Sequence, residues 1–143
     1  MRIYRHYRHR NVAVPFVVMG GLGVVLLAGL VWSATAPGYS GPPVPVFLAG
    51  LLVVVINFWA IAGTATEVRL ESGGMVEFVA PFRATRIPVG DIESIRPSDA
   101  MRGAFFVVRH QHGSLRFDPK LDGMHELISE LKRQNPAIEL RGI

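Results

Sequence analysis

Three hydrophobic rhythms succeed one another along the chain. The first is unbroken. No charged residue occurs from Asn11 to Thr66, and inside that gap residues 12–32 and 44–63 are apolar over the roughly 20 positions a helix needs to cross a bilayer. Pro15 and Pro45 fall in the first turn of each stretch, where proline is tolerated. The pattern predicts two spanning helices, over about 12–34 and 44–63, joined by the uncharged connector SATAPGYSGPP. The residues that follow are too few to cover two such helices inside a soluble core.

The second rhythm has period two, the signature of strands. It predicts strands over 66–71, 75–82, 85–89, 92–96, 105–110 and 114–117. Ser72-Gly73-Gly74 reads as a hairpin turn. Val76, Phe78, Ala80 and Phe82 share one face of the second strand, and Pro81 implies an edge or a bend near its end. The third rhythm is helical: Leu121, Met124, Leu127, Ile128 and Leu131 recur at three and four residues. Asp118 is the expected N-cap, Pro119 the first helical position, and Asn135-Pro136 the stop. The tail 137–143 is expected to be loose or to add a short extended piece.

Charge divides the chain differently. The opening decapeptide, MRIYRHYRHR, holds four arginines and no acid, whereas residues 64–143 hold eleven basic and eleven acidic side chains. The formal net charge of +4 therefore belongs to the first ten residues. A nucleic-acid-binding domain carries its basic excess on the folded surface, so nucleic acid is not an expected partner. Arg2, Arg5, Arg8 and Arg10 instead read as a positive-inside marker before the first span. This places both termini in the cytoplasm and the connector outside, with the lipid bilayer as a partner. Tyr4, Tyr7, Trp32 and Trp59 are expected at headgroup level. The rival reading is a signal peptide cleaved after Ala36, suggested by Ala34-Thr35-Ala36; its hydrophobic run is longer than the roughly 7–15 residues of a signal sequence.

Asn57 is the one strongly polar side chain within the spans, expected as an intramembrane polar contact. Gly20, Gly21, Gly23 and Gly29 offer a small face for packing in the hairpin or between copies. With no cysteine, thiol chemistry is excluded. No phosphate loop, dinucleotide fingerprint or nucleophile elbow is present, so no enzyme activity, catalytic residue or cofactor is expected. His110 and His112 share a strand face near a turn and read as exposed hairpin-end histidines; no metal is expected. The usage of arginine over lysine suggests a bacterial chain.

The segments RIPVGDIESI, FFVVRHQHGSLRF and HELISELKRQNP resemble those of bacterial membrane-associated pleckstrin-homology-like (PH-like) domains. The resemblance covers roughly residues 64–136. It implies a bent antiparallel sheet or barrel of about six strands capped by a C-terminal helix, one fewer strand than a full barrel. The basic turn through which lipid-binding relatives hold phosphoinositides is matched here by Ser72-Gly73-Gly74, which lacks Lys and Arg. Arg83 and Arg86, near the next turn, remain possible lipid or anion contacts. The expected organisation is a basic cytoplasmic N-terminus (1–11), a membrane hairpin (12–63), a cytoplasmic PH-like domain (64–136) and a tail (137–143). The expected role is an inner-membrane protein-interaction or assembly module, working through a strand edge or the groove beside the C-terminal helix. The alternatives are an anionic-lipid sensor and a small subunit of a transport complex. A protein partner or self-association is implied in the first case.

Overall fold

The structure, a computed structural model, describes residues 3–8, 13–99 and 104–142. They form two compact units. One holds the two apolar helices; the other joins the strand Ile3–Arg8 to the chain from Ala62 onward.

Helix α1 runs Ala13–Thr35 and α2 runs Val44–Ala62. At 1.5 Å per residue they are about 34 and 28 Å long, matching a hydrocarbon core of roughly 30 Å. They pack antiparallel. Phe16 meets Phe58 edge-on at 5.6 Å, Gly23 faces Val54, Leu26 covers Gly50, and the Phe47 ring lies against Gly29. A side chain at Gly29 would displace that ring, whereas Gly20 and Gly21 have open space around them. Only Val54 of the two helices is buried, and their outer surface is a continuous display of Val, Leu, Ile and Trp.

The other unit contains, among the described residues, nine strands in two sheets and one α-helix. The strands are β1 (Ile3–Arg8), β2 (Thr64–Ala65), β3 (Glu67–Glu71), β4 (Met75–Ala80), β5 (Arg83–Pro88), β6 (Ile92–Pro97), β7 (Phe106–His110), β8 (Gly113–Phe117) and β9 (Glu139–Leu140), with helix α3 at Met124–Gln134. The first sheet has the order β1-β3-β4-β5 and the second β2-β8-β7-β6-β9. The six strands expected from period two are all present. Three more strands join them, and β1 is drawn from the basic decapeptide.

The chain bends from one sheet to the other at two places. At Thr66, β2 pairs with β8 while β3 pairs with β4, and the Thr66 amide donates to Val79 O at 3.0 Å. A 3₁₀ turn at Val89–Asp91 carries the chain from β5 into β6. Alternation then sorts the side chains. Val68, Leu70, Val76, Phe78 and Ile87 of the first sheet meet Ile95, Val108 and Phe117 of the second in one core, closed by Leu127, Leu131 and Ile138. Phe117 stacks on Phe106 at 5.4 Å and touches Phe78 at 6.2 Å, so it bridges the two layers.

Three local expectations change. The helix starts at Met124, not at Asp118: the Asp118 carboxylate accepts from the Lys120 amide and stabilises a separate turn, and Gly123 enters α3 with φ 76°. Strand β4 ends at Ala80, because Pro81 has no amide to continue the ladder and the chain turns there. His110 is buried, its Nδ1 accepting from the His112 amide at 3.3 Å; only His112 of the pair is exposed.

Candidate interaction surface

The decapeptide is where the structure departs most from the expectation. Strand β1 lies antiparallel to β3, with Tyr7 opposite Val68, His6 opposite Arg69 and Arg8 opposite Glu67. Tyr7 is 5 % exposed and belongs to the core, so its expected place at headgroup level is overturned. Its neighbours point the other way and build a charge ladder on the outer face of the first sheet. Glu67 is the hub: His6 Nε2 lies at 2.9 Å, Arg69 Nε at 2.5 Å and Arg8 Nε at 3.9 Å. Arg69 reaches on to Glu77 at 3.2 Å, and Arg86 of β5 pairs with Glu71. Partial burial pushes the Glu67 carboxyl up, but the hydrogen bonds from Arg69 and His6 outweigh it and hold the group below its ordinary range. The bond to Glu67 holds Arg69 above its own.

Strand β1 also fills the space between β3 and the start of α3. The Tyr7 ring packs where a side chain at Gly123 would stand, Asp122 donates its amide to Arg8 O at 3.4 Å, and Arg5 points to Glu126 at 3.8 Å. The groove beside the C-terminal helix, expected as a docking surface, is thus occupied on this side by the chain's own N-terminal strand. The tail closes the edge of β6 in the same way. β9 pairs with it in parallel, Ile138 is fully buried, and Lys132 Nζ donates to Pro136 O and Ile138 O, both at 2.6 Å. Asn135 ties the end of α3 to the 3₁₀ turn: its Nδ2 donates to Val89 O, Gly90 O and Ile92 O at 3.0, 3.3 and 3.1 Å.

Strand β5 forms the edge of the first sheet opposite β1, and the hairpin tip precedes it. Arg83 and Arg86 both lie on this strand, but three residues apart in a strand puts them on opposite faces. Arg86 faces outward with Glu77 and is committed to Glu71, which is 3 % exposed and whose second oxygen, Oε2, has no hydrogen bond. Arg83, opposite Ala80, is exposed at the tip. The two do not form one anion site. Beside Arg83 stands Phe82, 74 % exposed. The alternating pattern sets Phe82 on one face with Phe78; Pro81, just beyond the last residue of β4, is the sequence signal that takes Phe82 out of that alternation.

Comparison of the chain with protein families, with curated proteins and with solved structures finds no match.

The second sheet presents a shallow depression of about 480 Å³ lined by Arg96, Arg109, Glu93, Val107 and Ser114. Its arginines carry acids of their own: Arg109 lies 3.6 Å from Glu93 and Arg96 bonds Asp99 at 3.1 Å. Arg141 and Glu139 line an adjoining depression that shares Glu93, Arg96 and Arg109, and their mutual hydrogen bond lowers the Glu139 carboxyl and raises the Arg141 guanidinium. Such paired, solvated charges make a balanced surface with weak pull on an anion. Among the described residues no group of three or more His, Asp or Glu side chains is placed to hold a metal ion. Asn57 donates to Val53 O of its own helix at 2.8 Å and does not bridge α1 and α2. Of the four marker arginines, Arg5 and Arg8 lie on β1, while Arg2 and Arg10 lie outside the described residues.

Proposed function

We propose that this protein is a non-enzymatic, membrane-anchored interaction module with a PH-like domain. The helical pair would cross the bacterial inner membrane as a hairpin and hold the β-rich unit at its cytoplasmic face. A partner protein, or a second copy, would add a strand along β5. Backbone hydrogen bonding at an exposed edge provides affinity and alternate side chains provide selectivity. A membrane tether raises the effective concentration of the module for neighbouring partners.

One observation carries the reading: β1 and β3 share a strand ladder although both apolar helices separate them in the chain. A chain that sets out from β1 and returns to β3 has to cross a bilayer an even number of times, which favours a two-span hairpin over a cleaved signal. The positive-inside rule then selects the cytoplasm. Trp32 and Trp59, near the ends of their helices and largely exposed, suit the two opposite interfaces. The PH-like assignment draws support from two packed sheets, antiparallel except for the short edge strands β2 and β9, and from the closing C-terminal helix. In this reading β1 adds a strand to the six that period two marks in residues 64–136.

The test is mild-detergent purification of the full-length protein from its own membranes, beside a Val108→Asp variant that places a charge in the core. A stoichiometric companion that is lost with Val108→Asp, and that slows amide exchange along β5, supports the module. A companion indifferent to the core charge, or a preparation with none, turns the weight to sensing of anionic lipid by the domain itself.

A further inference from the structure

We propose that the Pro81–Phe82 tip of the β4–β5 hairpin seats in the lipid interface, with Arg83 set against anionic headgroups. The inference rests on the reading that α1 and α2 cross a bilayer, and it adds a second, independent membrane contact to that anchor.

The first observation is chemical. Phe78, Phe105, Phe106 and Phe117 of the β-rich unit are all buried, 9 % exposed or less, whereas Phe82 is 74 % exposed. Arg83 follows it in sequence and is also exposed. A phenyl ring next to a cation matches a membrane interface, where the ring buries at the boundary of headgroups and acyl chains and the guanidinium meets phosphate.

The second observation is positional. Arg8, Glu67, Val79 and Ala84 form one row across the first sheet: Arg8 is opposite Glu67, Glu67 opposite Val79, and Val79 opposite Ala84. Arg8 is the last residue of β1 before the chain leads to α1, and Glu67 is the first of β3 after α2. The tip therefore emerges at the end of the sheet through which both connections to the apolar helices run. Four residues lie between Ala62, the last of α2, and Glu67, so the five steps from one to the other reach at most about 17 Å when fully extended. The opposite hairpin, Ser72-Gly73-Gly74, carries neither an aromatic nor a basic side chain.

The chain has no cysteine, so single-cysteine labels report each position cleanly. The full-length protein, reconstituted in vesicles of phosphatidylcholine with or without phosphatidylglycerol, would carry an environment-sensitive fluorophore at Phe82→Cys, Ala84→Cys, Ser72→Cys or Val17→Cys. Quenching by lipid-borne nitroxide is the readout. The expected result is strong quenching at 17, clear quenching at 82 and 84, and at least about twofold less at 72, the gap widening with phosphatidylglycerol and narrowing when Arg83→Glu is added. Quenching at 17 with 82 and 84 no different from 72 would overturn the proposal and leave the spans intact. Labels at 82 and 84 shielded from soluble iodide yet untouched by the lipid nitroxide would overturn it in favour of a protein contact. An unquenched label at 17 would overturn the membrane reading and this inference together.

Discussion

Tyr7 and Val68 stand opposite each other in an antiparallel pair, and both are buried in the same core. One lies before the two apolar helices and the other after them, so the β-rich unit is completed by a segment that the helical pair separates from it. Removing the Tyr7 ring opens that core at the junction of β1, β3 and α3. Tyr7→Ala is expected to cost about 3 kcal/mol, in the range for large aromatic deletions. Tyr7→Phe keeps the ring and gives up the hydrogen bond from Arg5, at 3.3 Å, for under about 1 kcal/mol. Urea titration of the detergent-solubilised protein, followed by limited proteolysis of the β-rich unit, separates the two.

The same pairing makes a topological prediction. Single cysteines at Gly38, in the connector, and at Ser72, in the β-rich unit, should differ in their reaction with a membrane-impermeant maleimide added to intact cells. Gly38→Cys is expected to label and Ser72→Cys to stay protected until the membrane is opened. Labelling of both from outside would exclude the two-span arrangement with a cytoplasmic domain.

Glu67 ties the pH response to the charge ladder. Its carboxyl is held below its ordinary value of 4.5, so the folded state binds the proton more weakly than the unfolded chain does. The stabilisation is present above pH 4.5 and is lost as the pH falls through the lower folded value. Unfolding midpoints measured from pH 7 to pH 3 should fall less steeply below about 4.5 in Glu67→Gln than in the natural protein. Equal slopes would remove Glu67 from the acid response.

Arg86 was a candidate for lipid contact on sequence grounds, and the structure sets it against Glu71. Arg86→Ala strips a nearly buried carboxylate of its cation and is expected to cost about 2 kcal/mol, below the usual range for buried pairs because Arg86 itself is half exposed. Adding Glu71→Gln should recover most of that loss in a double-mutant cycle. If Arg86→Ala instead leaves stability unchanged and weakens vesicle binding, the lipid role returns to it.

Asn135 offers the sharpest local test. Replacing it by Ala leaves the carbonyls of Val89, Gly90 and Ile92 without their shared donor and the Ala137 amide without its acceptor, for an expected loss of about 2–3 kcal/mol. Asn135→Asp should be worse, since a carboxylate has no hydrogen to give and would face three carbonyl oxygens. Thermal unfolding of both variants beside the parent decides the order.

What the sequence determined by itself is what depends on neighbours along the chain. The apolar runs specify α1 and α2, two helices long and apolar enough to cross a bilayer, because length and composition are local properties of the chain. Period two marks β3 to β8, Gly73 and Gly74 mark the turn with φ 121° and 74°, and the stripe of Leu127 and Leu131 marks α3 up to Asn135. Boundaries slipped where local signals competed. Asp118 stabilises a turn because its carboxylate reaches the Lys120 amide, and Pro81 takes Phe82 out of the alternation by ending the ladder. The tertiary structure alone decided the fate of Ile3–Arg8 within MRIYRHYRHR. A strand with polar and basic residues on both faces has no buried side to reveal it until a partner is given. Once β3 supplies that partner, the pleat turns Tyr7 into the core and sets His6 and Arg8 against Glu67. Strand pairing is a bond between distant segments, so no local pattern in the decapeptide carries it.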